Sequence, residues 1–123
     1  MAADAVSMLS FQKLDVYRCA IAFLALSVEM PAELPRGHAA LVDQLRRAAL
    51  SVPLNIAEAA GRVSEADVAR HYGIARGSAM ECAAVVDVLE VLGAIDGSRH
   101  AAGIELLERI VSMLTKLARV QAG

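Results

Sequence analysis

The stretch Gln44-Leu45-Arg46-Arg47-Ala48-Ala49-Leu50-Ser51-Val52-Pro53-Leu54-Asn55-Ile56-Ala57-Glu58-Ala59-Ala60-Gly61-Arg62 decides how this chain folds. Leu45, Ala48, Val52, Ile56 and Ala59 recur at steps of three and four, the spacing of one face of an α-helix. Leu41 extends that stripe backwards, so a helix is predicted from about Gly37 to Ala60. Pro53 sits inside it. Proline has no N–H and crowds the carbonyl four residues back, on Ala49, so a kink is expected. Gly61 reads as the stop.

Three further segments share this periodicity. Before Gln44, Leu14, Tyr17, Ile21, Leu24 and Val28 form a heptad seam, predicting a helix from about Leu14 to Met30. Ala22, Phe23, Ala25 and Leu26 widen its apolar face beyond what one core needs. Pro31 and Pro35 stop it. After Arg62, Ser64 starts a third helix through a capping-box pattern closed by Asp67. Val68, Tyr72, Ala75, Ala79, Cys82, Val86 and Leu89 are its inner face, and Gly93 ends it. Gly73 and Gly77 interrupt good helix formers, which predicts a close backbone approach there. A fourth helix is expected from about Ser98, its candidate N-cap, to Val120. Ile104, Leu107, Val111, Leu114 and Ala118 form its stripe.

Four helices with short connections make neighbours antiparallel. The expected fold is all-α: an up-down antiparallel four-helix bundle with a proline kink in the second helix. It is read as one domain over residues 1–123, with its core at about 11–120. Composition agrees. The chain is 57% apolar but only 3% aromatic, so Ala, Leu, Val and Ile fill the interior and a sheet protein is disfavoured. The apolar surplus does not predict a membrane partner. The uncharged run Cys19 to Val28 is about half the roughly 20 residues a span requires. No basic-then-apolar leader opens the chain, so a cytoplasmic protein with two reduced thiols, Cys19 and Cys82, is expected.

Residues able to carry chemistry do not assemble into a catalytic pattern. A di-metal bundle needs a histidine three residues after a glutamate. Glu58, Glu81 and Glu105 are followed there by Gly61, Ala84 and Glu108. His38, His71 and His100 are scattered. Ser78 lacks the surroundings of a hydrolase elbow. No metal site, cofactor or catalytic residue is expected.

The sequence between Arg46 and Arg76 has a positive balance. Arg46, Arg47, Arg62, Arg70 and Arg76 stand against Glu58, Glu65 and Asp67, while the whole chain carries a net charge of −2. Two readings stay open. The arginines form a solvated or intersubunit face with Glu58 as an ion-pair partner, or they form a phosphate-binding face, since guanidinium forks suit phosphate oxygens. Asn55 reads as the residue that satisfies backbone groups freed by Pro53. Tyr72, on a seam, reads as core.

The same stretch resembles the signature of the four-helix bundle protein family, also called the 23S ribosomal RNA intervening-sequence proteins. That signature runs Gln-x-Arg-Arg-Ala-Ala-x-Ser-x-Pro-x-Asn-Ile-Ala-Glu-Gly-x-Gly-Arg. Gln44, Arg46, Arg47, Ala48, Ala49, Ser51, Pro53, Asn55, Ile56, Ala57, Glu58, Gly61 and Arg62 match it. Phe11 to Tyr17 resembles the family's opening, and Ala75-Arg76-Gly77-Ser78 and Leu92-Gly93-Ala94-Ile95 resemble its later motifs. Ala59 replaces a usual glycine, and Met80-Glu81-Cys82-Ala83 departs from the common third helix. The resemblance implies a bundle without known catalytic activity, often a homopentameric ring. It also implies a link to RNA or DNA. The alternative it carries is an accessory protein of a diversity-generating retroelement, whose partner is a reverse transcriptase.

Overall fold

A computed structural model describes residues 9–30 and 38–122. A 3-10 turn, Ser10–Lys13, leads into four helices: α1 Asp15–Glu29, α2 Ala39–Ala60, α3 Glu65–Val91 and α4 Gly97–Ala122. The stop expected from Pro31 and Pro35, and Gly37 as a helix start, lie outside the described residues.

Side-chain contacts give the arrangement. Gln44 meets Glu81, Ser51 meets Ser78 and Asn55 meets His71, so α2 and α3 run in opposite directions. Arg76 reaches Thr115 and Asp87 reaches His100, which makes α3 and α4 antiparallel as well. Met30, Phe23 and Leu26 lie over Gly103, while Leu14 and Val16 lie near Met113 and Leu117. The first and last helices are therefore antiparallel. Each helix packs against two others, and the diagonal pairs α1–α3 and α2–α4 bring no Cα atoms within 8 Å of each other among the described residues. One core runs through the centre, with Phe23, Leu45, Ile56, Val86, Leu89, Ile110 and Leu114 almost fully buried.

Helix ends follow local chemistry. Ser64 Oγ accepts the Asp67 N–H at 3.1 Å and caps α3. At the other end Gly93 takes φ +74°, a left-handed conformation that glycine adopts without a Cβ penalty. Ala94 N–H then reaches the Leu89 carbonyl and Gly93 N–H the Glu90 carbonyl, both at 2.9 Å, a Schellman closure. Gly61 also follows a helix, as expected, but at φ −91°. The cap of α4 is Asp96, not Ser98: Asp96 Oδ1 accepts the Arg99 N–H at 2.8 Å. Ser98 falls inside the first turn, because two cap-forming residues stand two apart and the carboxylate reaches the free donor.

The stripes predicted for α2 and α3 are the buried ones. Leu45, Ala48, Val52, Ile56 and Ala59 are buried, as are Tyr72, Ala75, Ala79, Cys82, Val86 and Leu89. Helix α2 continues through a buried Pro53. Its counterpart α1 differs. The expected seam of Leu14, Tyr17, Ile21, Leu24 and Val28 is not the core face. Val16, Cys19, Ala20, Phe23, Ser27 and Met30 are buried instead, while Ile21 is 40% and Val28 56% exposed. Ser27 is tolerated there because its hydroxyl donates to the Leu24 carbonyl at 2.7 Å.

The glycines bring a second correction. A Cβ at Gly73 or Gly77 would meet nothing within 4 Å, so neither marks a close approach within the chain. That role belongs to Gly103 on α4. An added Cβ there would stand 3.4 Å from both Met30 Cε and Phe23 Cε1. Helix α1 seats its largest fully buried side chain, Phe23, over this gap.

Candidate functional site

The signature residues of α2 build a polar seam against α3. Ser51 and Ser78 hydroxyls lie 2.8 Å apart. Asn55 Nδ2 donates to the Ser51 carbonyl at 2.9 Å and to Ser51 Oγ at 3.0 Å. A carbonyl only accepts, so the Asn55 amide is oriented with Oδ1 outward, 3.1 Å from His71 Nδ1. His71 Nδ1 must then carry the proton. His71 is buried, and this bond gives its ring a partner inside the bundle. Asn55 therefore works differently from the expectation. The carbonyl it takes is that of Ser51 rather than Ala49, the one Pro53 leaves without its helical donor. Its hydrogen bond to His71 ties α2 to α3.

Sequence reading missed His71 and Ser78 as members of this seam. The available signal was position: His71 and Ser78 each precede a stripe residue, Tyr72 and Ala79, on the side of α3 that turns toward α2.

The five arginines are spread along the bundle. Arg46 and Arg62 are sixteen residues apart on one strand of helix and turn, about 24 Å along the axis. Arg62 Nη2 pairs with Glu58 Oε2 at 2.7 Å, an exposed i,i+4 bridge. Half-buried Arg76 donates from Nε to Thr115 Oγ1 at 2.8 Å, and Thr115 donates on to the Val111 carbonyl. It links α3 to α4. Arg46, Arg47 and Arg70 are exposed and join no ion pair among the described residues. Arg47 lines a groove between α2 and α3 with Gln44, Ser51, Ser78 and Glu81. Glu81 there accepts from Gln44 Nε2 at 3.1 Å, so a carboxylate sits in the same groove as the guanidinium.

The remaining reactive groups are enclosed. Cys19 and Cys82 are both free and buried. Burial, with the nearby Glu81 charge adding to it, pushes the Cys82 thiol up to about 12, so it stays protonated and a poor nucleophile. Burial also raises the Tyr72 phenol. His100 Nε2 lies 2.8 Å from Asp87 and its Nδ1 3.5 Å from Glu90, bridging the α3–α4 turn. Among the described residues no three metal-ligating side chains converge on one point. No described helix is long and apolar enough to cross a membrane.

The family model for the 23S rRNA-intervening sequence protein matches residues 12–116. The chain belongs to this family. The match runs from the 3-10 turn, through the Ser51–Asn55–His71 seam, into the last third of α4. Comparison with curated proteins gives no match. Within the intervening-sequence family, this chain's signature residues divide into two groups. Ser51 and Asn55 lie in the α2–α3 contact, and Pro53 is buried within α2. Arg46, Arg47, Glu58 and Arg62 lie on the outside.

Proposed function

We propose that this intervening-sequence protein is a non-catalytic, self-assembling bundle that serves as a nucleic-acid-associated or scaffolding module in the cytoplasm. The observation that carries the reading is the bare side of α1, where Ile21, Ala22, Ala25 and Val28 are exposed while the opposite side holds the core. A face this apolar on a soluble helix is covered by a neighbour of its own kind. Five copies is the number that the sequence resemblance implied. Assembly also multiplies the exposed Arg46, Arg47 and Arg70, turning scattered charges into a repeated array. A single chain of net charge −2 has little hold on phosphate, but a ring of such arrays can have more.

The test is fluorescence anisotropy of labelled RNA and DNA at rising salt, with particle size read by light scattering in the same solution. Binding by the particle should fall steeply with salt, and Arg46→Gln with Arg47→Gln should flatten that slope. No shift of either nucleic acid at low salt would remove the nucleic-acid half of the reading.

A second reading is favoured by the pairing of Arg62 with Glu58 and of Arg76 with Thr115, which leaves fewer guanidinium groups for phosphate. In it the assembled bundle is a protein adaptor, such as an accessory subunit of a reverse transcriptase from a diversity-generating retroelement. A partner complex that survives high salt and nuclease would favour this adaptor over the phosphate-binding form.

A further inference from the structure

Two helices at opposite corners of the bundle carry matching bare stripes. On α1 the exposed side is Arg18, Ile21, Ala22, Ala25, Val28 and Glu29. On α3 the run Arg70, Gly73, Ile74, Gly77, Met80 and Glu81 is likewise exposed. Both follow one spacing: a cation, then positions three, four, seven and ten further on, then an anion at eleven. Such positions share one side of a helix, with the end charges about 16 Å apart. Each stripe lies opposite its own helix's core residues, Phe23 on α1 and Ala75 and Ala79 on α3. Arg18, Glu29 and Arg70 join no ion pair among the described residues, and Glu81 accepts only the Gln44 amide.

We propose that α1 of one copy docks antiparallel on α3 of a second copy. Arg18 then meets Glu81, Glu29 meets Arg70, and Ala22 and Ala25 sit at the centre. Ile21 and Val28 lie over the bare backbone of Gly77 and Gly73, where nothing stands within 4 Å of an added Cβ. The proposal rests on the self-assembly just described and names the surfaces that perform it. Charge fixes the direction: a parallel docking would set Arg18 against Arg70 and Glu29 against Glu81. Size fixes the pairing. Two poor helix-forming glycines on α3 gain a use only when a neighbour's bulky side chains occupy the space above them. Because two different stripes meet, the contact is head-to-tail. Every copy offers one of each, and no stripe is left bare in a closed ring. A two-fold contact of α1 with α1, or of α3 with α3, would leave the other stripe in water.

Disulfide trapping tests this on the full chain, whose own cysteines are buried. Ala25→Cys and Ile74→Cys, exposed positions that the proposed register sets opposite each other, are made separately, mixed in equal amounts and oxidised. A linked dimer should form in the mixture and in neither variant alone. A dimer from Ala25→Cys alone, from Ile74→Cys alone, or none at all from a particle that light scattering shows to be assembled, overturns the proposed surface and leaves self-assembly standing. A wild-type chain that runs as a single copy overturns both. Charge reversal gives an independent reading without introduced thiols. Arg18→Glu should raise the concentration needed for assembly at least tenfold, and adding Glu81→Arg in the same chain should restore it. Failure of that restoration also overturns the contact.

Discussion

Helices α1 and α3 carry the same three-and-four alternation of apolar residues, with opposite results. In α3 the alternating residues are the core: Tyr72, Ala75, Ala79, Cys82, Val86 and Leu89 are buried. In α1 the alternating residues Ile21 and Val28 face water, and Phe23 and Ala20 take the core. The difference lies in what occupies the other sides of each helix. The outer side of α3 mixes Ile74 and Met80 with Arg70, Glu81, Asp87 and glycines, so its charges mark which arc goes inside. In α1 nearly every position from Cys19 to Val28 is apolar, and the bundle takes the arc containing Phe23 because Gly103 leaves a gap for that ring. Periodicity therefore identifies a face only when the other faces are polar. A helix apolar on two sides has two partners to find.

The buried side of α1 can be broken first. Phe23→Ala removes a ring that is 1% exposed and should cost about 3–5 kcal/mol in denaturant unfolding. Ile21→Ala on the bare side should cost far less in the separated chain and act on assembly instead. If the two substitutions cost the same, α1 has one face and not two.

Cys82 sharpens the picture of the α3 core. Its thiol is raised from 9.0 to about 12, so the folded chain keeps a proton that the unfolded chain releases. Stability from this group is complete below about pH 9 and is lost as pH rises towards about 12. Wild type should lose stability across that window by more than Cys82→Ala does. A thiol reagent at pH 8 should modify Cys82 only on unfolding.

Asn55→Ala probes the polar part of the same interface. It leaves His71 Nδ1–H without its acceptor inside the bundle and should cost about 1–3 kcal/mol. Asn55→Asp keeps an acceptor for His71 and should cost less near neutral pH. The smallest effect is on the outer side of α3. With open space around it, Gly77→Ala should stabilise the separated chain by about 1 kcal/mol, measured at concentrations too low for assembly. It should weaken assembly at the same time. Stabilisation of both states would place that side of α3 in water.

The fold was legible because three kinds of local signal agreed. The α2 and α3 stripes, the Ser64 cap and the Gly93 stop are properties of short runs of sequence, and each stands where it was read. What depends on register between helices was not legible. In sequence Asn55 reads as a servant of Pro53, since its partner His71 comes within reach only when α2 and α3 are set antiparallel at one offset, although Ser51 stands four residues back on the same helix. Glu58 could be read as an ion-pair partner because Arg62 stands four residues away on the same side. The partner of Arg76 could not, since Thr115 lies on another helix. Gly73 and Gly77 predict a close approach without saying what approaches, and within the chain nothing does. Gly103, where a close approach exists, carries no mark in sequence that sets it apart.

The central claim is that α1 has one face for its own bundle and one for another copy. Sedimentation velocity on wild type and on Ile21→Asp/Val28→Asp, with helix content followed by circular dichroism, tests it most directly. Wild type should sediment as a particle of several copies, and the double variant as a single chain with its helices intact. A wild type that sediments as one chain at every concentration, or a double variant that assembles as wild type does, would contradict it.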